Sequence, residues 1–312
     1  MKRIFMNFSI LIILLNIVIP NGVNGQTVSD MSHIIINNDS GTDQYYCTQD
    51  ETEILETVEH FLFAVGNYDI EAMSNMMTNH ANVGSVNLKD GERVINTMTV
   101  QDFFDVINQR TARPYFEPVK EYTIHLNDDH LVFVRADATL YAFGVPKSHN
   151  MDYFILMKDG ESWKFLSLSY SATPIPENER TFDLNIFGKS YAQTWCSQRP
   201  EFVSMFFAED GSLSVNDGKP AVGRNDISSV VKSFMTAFPD IIVSMDSLVN
   251  SPKGTEFHWT FTGTNTGPNG TGKKVKIHGV EIWQIENGLI KESKGSFDTE
   301  EYERQVKYGV EI

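Results

Sequence analysis

Gly279-Val280-Glu281-Ile282-Trp283-Gln284-Ile285-Glu286-Asn287-Gly288-Leu289-Ile290-Lys291-Glu292 is the stretch that orients the rest of the chain. Asn-Gly between alternating β-formers is the strongest short-range hairpin signal, a two-residue turn with positive φ at both positions. Pairing across it puts Glu286 opposite Leu289. The register then sets Trp283 against Glu292, Glu281 against Lys294, Gly279 against Ser296 and Ile277 against Asp298. Side chains alternate along a strand, so these residues share one face. His278, Val280, Ile282 and Gln284 share the other with Ser293, Gly295 and Phe297. One bulge would exchange the two sets.

Working outward, two more strands precede the hairpin at about Ile241–Leu248 and Thr255–Thr264, with the hairpin strands at Lys273–Ile285 and Leu289–Phe297. Before them the periodicity changes to that of helices. Helices are expected at Phe182–Ser197, Pro200–Phe206 and Asp226–Phe238, the last stopped by Pro239, with an extended segment at Ala208–Val215. The same order appears earlier in the chain. Ile54, Leu55, Val58, Phe61, Leu62 and Val65 recur at helical spacing up to Gly66. A short helix capped by Asp69 follows, then an extended piece near Val83–Leu88 and a helix opened by Thr99. Four strands close the unit, at about Val119–Leu126, Leu131–Phe143, Met151–Met157 and Trp163–Tyr170. Helices followed by a run of antiparallel strands is an α+β order rather than βαβ. Two tandem α+β rolls are therefore expected, each with helices on one face of a curved antiparallel sheet around a cone-shaped cavity. The expected organisation is a signal peptide at 1–25, a flexible lead-in at 26–50, a first roll at 51–172, a Pro-rich linker at 173–180 and a second roll at 181–312.

Lys2 and Arg3, the apolar run Ile10–Ile19, Pro20 and the small residues to Gly25 follow the order of a secretory signal peptide cleaved before Gln26. Export to the periplasm or beyond the cell is the expectation, with no stable membrane insertion after cleavage. An uncleaved anchor is the alternative. In that oxidising setting Cys47 and Cys196 either join in one disulfide or stay as two buried thiols. The 312 residues carry 41 Asp+Glu against 25 Lys+Arg, a net charge of −16. Such a field repels phosphate backbones, which argues against a nucleic-acid partner.

The second half resembles the SnoaL-like polyketide cyclases of the nuclear transport factor two-like (cystatin-like roll) superfamily. The resemblance is carried by Phe238-Pro239-Asp240, Gly263-Thr264-Asn265-Thr266-Gly267-Pro268, Thr271-Gly272-Lys273, Asn287-Gly288-Leu289-Ile290-Lys291-Glu292, Asp298, Gln305 and Gly309. The first half is similar to the putative lumazine-binding-like branch, through Asn67-Tyr68-Asp69, Asp152-Tyr153 and Trp163-Lys164. The resemblance implies that Asp298, closing the last strand, serves as general acid/base on an enolisable substrate. The plain reading of the same residue is the N-cap of a helix over Thr299–Tyr308, with Glu301 three residues on. Lys294 stands where the family often has Trp, and Asn265 where it often has His. Glu281, Trp283, Lys294, His278, Phe234, Phe238 and Trp259 are the candidate substrate-binding residues, the aromatics as core or pocket wall. Arg135 and Asp137 share a strand face with Phe133 and Tyr141, which a cross-strand ion pair explains.

No phosphate loop, dinucleotide fingerprint, nucleophile elbow or His-Glu-x-x-His pattern occurs, so classes that need no cofactor lead. The first functional expectation is a cofactor-independent cyclase, isomerase or hydratase acting on a hydrophobic small molecule. The second is a binding protein with two apolar cavities, and the third a pair of association domains. A homodimer or pairing of the two halves is the expected assembly.

Overall fold

A computed structural model of the protein describes residues 33–36, 49–89, 91–127 and 130–310. The expected signal peptide with its cleavage site, and Cys47, lie outside the described residues. The first half runs β1 (His33–Ile36), α1 (Gln49–Gly66), α2 (Ile70–Met76), β2 (Met77–Lys89), β3 (Glu92–Thr99), α3 (Val100–Gln109), β4 (Val119–Asn127), β5 (Leu131–Ala142), β6 (Val145–Asp159) and β7 (Ser162–Pro174). A 3-10 turn at Glu177–Glu179 leads into the second half. There α4 (Leu184–Trp195), α5 (Pro200–Ser204), β8 (Phe207–Val215), β9 (Ala221–Val222), α6 (Arg224–Ala237), β10 (Ile242–Ser251), β11 (Gly254–Thr264), β12 (Lys274–Glu286), β13 (Leu289–Phe297) and α7 (Thr299–Tyr308) follow.

The architecture is α+β, with two sheets that share one topology. The first is ordered β1-β4-β5-β6-β7-β2-β3 and the second β10-β11-β12-β13-β8-β9. In each, four antiparallel strands meet the early strand in parallel, β7 with β2 and β13 with β8. The helices cover one face of each sheet and enclose a separate core. Ile54, Val58, Phe61, Phe154 and Phe165 lie at the centre of the first, and Phe187, Tyr191, Phe207, Phe257 and Trp283 at the centre of the second.

Local chemistry sets the element ends. Asp69 accepts the Ala72 N–H at the start of α2, and Thr99 with Asp102 forms a reciprocal capping box on α3. Asn287 and Gly288 have φ of 52° and 74°, the conformation the hairpin reading requires. Three features depart from the sequence reading. His33–Ile36, placed in the flexible lead-in, pairs in parallel with Glu121–Ile124, where a β-branched run extends the open edge of the sheet. Glu92–Thr99 is a strand paired with β2 although it is almost wholly exposed, so no buried alternation marks it. The register of the β12–β13 hairpin also shifts by one after the turn.

That shift is a bulge. Ile285 pairs with Ile290, but Gln284 pairs with Glu292, leaving Lys291 as the extra residue on β13. Trp283 consequently faces Ser293, Glu281 faces Gly295, and Lys294 moves opposite Ile282 on the outer face. The expected Glu281–Lys294 pair is not formed.

Within the segment 32–312 the two halves touch. The Asp183 N–H donates to the Gly144 carbonyl at 2.8 Å and Gln193 Nε2 to the Tyr115 carbonyl at 3.2 Å, while Phe143 packs edge-on to Phe206. Cys196 is a free thiol that accepts the Val243 N–H, and burial pushes it up to about 11. Among the described residues no helix is long and apolar enough to cross a membrane.

Candidate functional site

Among the described residues, Glu281 is the one ionisable side chain that lines the interior cavity of the second roll. On β12, Val275, Ile277, Glu281 and Trp283 point inward and are buried. Glu281 is 6% exposed. Its Oε2 accepts three bonds: from Ser293 Oγ at 2.7 Å, Trp283 Nε1 at 2.9 Å and Tyr191 Oη at 3.1 Å. Among the described residues Oε1 has only the Tyr191 hydroxyl, at 3.4 Å. The donors come from three elements, α4, β12 itself and β13. Ser293 reaches the carboxylate because of the bulge, which turned it to the inner face.

Burial raises the Glu281 pKa, and the bonds from Trp283, Ser293 and Tyr191 oppose that rise. Tyr191 is held well above the ordinary phenol range, first by burial and then by the Glu281 charge beside it. The site thus places a desolvated carboxyl with a raised proton affinity in a set of fixed donors. It can accept a proton from a weak carbon acid and return it.

The cavity has a volume of about 60 Å³, with Trp195, Phe234, Trp259, Phe261 and Phe297 among its walls. A second void of about 30 Å³ shares Phe234, Trp259, Phe261 and Phe297 with it. Trp259 lies flat over Gly279, where a Cβ would stand 2.2 Å from its ring. Its Nε1 is buried and has no hydrogen-bond partner among the described residues.

The structure separates the remaining expected site residues. Asp298 does not line the cavity. It is exposed and caps α7, accepting the Glu301 N–H at 3.0 Å. Lys294 bonds Glu292 on the outer face, at 2.9 Å. His278 also points outward: its side chain is 69% exposed and its Nδ1 lies 2.8 Å from Thr260 Oγ1. Phe238 and Trp283 are core residues, the first edge-on to Phe261 and the second stacked on Phe257. Phe234 and Trp259 are walls of the cavity. Asn265 is buried and braces a loop, donating to the Ala237 carbonyl and accepting the Thr271 N–H. In the first roll Arg135 pairs with Glu121 across β4 and β5 at 3.3 Å. Among the described residues no cluster of His, Cys, Asp and Glu has the arrangement of a metal site.

The first roll holds a larger cavity, of about 160 Å³, lined by Glu117 and Asp152 as well as by aromatic rings. Sequence reasoning did not pick out this pair. Asp152 alternates with Asn150, Phe154 and Leu156 on the buried face of β6, a period-2 signal that marks an inward carboxyl. Glu117, between Phe116 and Pro118 before β4, carries no such signal.

These two sheets with one-sided helices are α+β rolls, arranged in tandem. Residues 187–306, in the second half, match the SnoaL-like polyketide cyclase family. The matched segment lies wholly in that half. The likeness of the first half to lumazine-binding-like members rests on its sequence alone. Solved structures similar to the chain include a nuclear transport factor two-like protein of unknown function from Shewanella baltica, at 19% identity, covering 42% of this chain and all of that one, with a TM-score of 0.34. A phenazine biosynthesis-related protein from Pseudomonas aeruginosa matches at 14% identity over 40% of this chain and 88% of that one, with the same TM-score. No curated protein matches the chain.

Proposed function

We propose that the second roll binds a hydrophobic small molecule and acts on it as a cofactor-independent cyclase or isomerase, with Glu281 as proton acceptor. The observation that supports this reading best is the carboxylate itself, buried among apolar walls with its three donors gathered on Oε2. Glu281 would take an α-proton from a ketone, the C–H electron pair passing into the enolate. The Trp259 Nε1–H, which has no partner, would donate to the enolate oxygen. Returning the proton to another carbon of the same system completes an isomerisation.

A void near 150 Å³ is needed to hold even benzene, so the cavity must open to admit a substrate. Trp259 lines both voids and its indole N–H is tied by no hydrogen bond among the described residues, so its ring is the wall whose movement would begin that opening. A second reading, binding without turnover, is favoured by the small size of the cavity and by the donors already engaged on Glu281. Deuterium uptake at the α-carbons of 2-tetralone in D₂O separates the two. Enzyme-dependent exchange that is lost in Glu281→Gln supports catalysis. Binding of the ketone with no exchange above buffer leaves the protein a binder.

We also propose that the chain is exported. The charged start and apolar run before Gln26 support it, and amino-terminal sequencing of protein recovered outside the cytoplasm should begin at Gln26. A mature chain that retains Lys2 and Arg3 would refute cleavage.

A further inference from the structure

The first roll contains two inward carboxyls that the function proposed for the second roll does not use. Asp152 is 5% exposed, and its Oδ2 is buried without a hydrogen-bond partner. Glu117 is half-buried and accepts a bond from Asn150 Nδ2. Both line the cavity of about 160 Å³. Neither enters an ion pair among the described residues, an unusual state for carboxyls taken out of water. Burial raises the pKa of each, and the charge of Glu117 raises Asp152 further. The pair therefore retains a proton where a counter-charge is missing.

The rest of the lining indicates what would supply that charge. Phe61, Tyr68, Tyr115 and Tyr170 present aromatic surface to the same space, with Tyr68 and Tyr115 set edge to face. A ring face attracts a cation through its quadrupole, more strongly where water is excluded. Among the described residues Arg110 is the one basic residue on the lining. It is exposed at the end of α3, where water screens it, and it pairs with neither carboxyl. A void near 150 Å³ accommodates benzene, so the ligand has roughly six to eight heavy atoms.

We propose that the first roll binds a small organic ammonium ion, held by Glu117 and Asp152 as counter-ions and by the surrounding aromatic rings. The ammonium N–H groups donate to Asp152 Oδ2 and to Glu117, and the carbon skeleton fills the aromatic part of the cavity. On binding, the proton retained by the carboxyls leaves to solvent.

The test is calorimetric titration of the full chain with methylammonium, n-butylammonium and benzylammonium, each against the matching alcohol. At least one amine should bind once per chain and at least tenfold more tightly than its alcohol. Asp152→Asn and Glu117→Gln should each weaken that amine tenfold or more. Both changes keep shape and remove a desolvated charge, so the fold survives them, and a thermal melt of each variant verifies this. Glu281→Gln should leave amine binding unchanged, which separates this site from the one in the second roll. The proposal is overturned if no amine out-binds its alcohol. It is equally overturned if folded Asp152→Asn and Glu117→Gln bind the amine as the parent does, or if Glu281→Gln is the variant that loses it.

Discussion

Replacing Glu281 by Gln should leave stability nearly unchanged, whereas replacing it by Leu should lower it. In the parent, Ser293, Trp283 and Tyr191 all donate to Oε2, at 2.7, 2.9 and 3.1 Å. A Gln whose carbonyl takes the Oε2 position keeps all three bonds and removes a desolvated charge. Its amide group occupies the Oε1 position, where only the Tyr191 hydroxyl is near. Charge-assisted bonds are roughly twice as strong as neutral ones, but desolvation of the carboxylate opposes that gain. The Gln variant should therefore unfold within about 1 kcal/mol of the parent. Leu leaves three buried donors unsatisfied at about 1–3 kcal/mol each, so it should cost about 3 kcal/mol or more even after the desolvation penalty is relieved. Urea unfolding followed by tryptophan fluorescence measures both, since Trp283 is itself one of the donors. A Leu variant as stable as the parent would refute the hydrogen-bonded account of Glu281. A Gln variant several kcal/mol less stable would refute the claim that its charge is dispensable to the fold.

Three further outcomes follow from the same geometry. Asp298→Asn should keep both stability and any activity, because Asn caps α7 as well as Asp does, whereas Asp298→Ala should cost about 0.5–2 kcal/mol in a denaturant melt; loss of α-proton exchange in a folded Asp298→Asn would instead place this residue in the reaction. Gly279→Ala should displace the Trp259 ring, whose nearest atom stands 2.2 Å from the added Cβ; overpacking of about 1–3 kcal/mol and an altered tryptophan emission are expected, and an unchanged spectrum with unchanged stability would contradict the packing. Because burial raises Glu117 and Asp152, the folded chain binds their protons more tightly than the unfolded chain does. Their stabilising contribution is therefore full below the ordinary carboxylate pKa of about 4 and declines as pH rises toward the raised values, by at most about 1.4 kcal/mol per pH unit for each group. Asp152→Asn should accordingly gain stability relative to the parent as pH rises from 5 to 8, and a constant difference in Tm would contradict the shift.

The fold was legible because its signals are local. Asn287-Gly288 announces its hairpin, Pro239 stops a helix, and Asp69 and Thr99 cap theirs, so the helix-then-strand order appears twice before any contact is known. The site was less legible because it depends on register. One extra residue at Lys291 turns Lys294 outward and Ser293 inward, and no turn signal marks it. Glu281 could be assigned to the inner face because it alternates with Ile277 and Trp283 on the hairpin-proximal side of β12. Asp298 carries two sequence meanings, strand end and helix start, and its hydrogen bond to Glu301 shows which geometry the chain adopts. Glu117 and Asp152 are far apart in sequence and come to line one cavity only in the folded sheet, which no local pattern encodes.

The central claim is that the second roll receives an enolisable ligand between Trp259 and Glu281. The four tryptophans, Trp163, Trp195, Trp259 and Trp283, give four indole N–H resonances in a ¹⁵N-labelled sample. On titration with 2-tetralone the Trp259 resonance should move downfield as its unpartnered N–H gains an acceptor, and Trp259→Phe should remove the moving peak. The Trp163 resonance, in the first roll, should stay in place. A saturating ketone that leaves Trp259 unmoved, or that shifts Trp163 alone, would contradict the account.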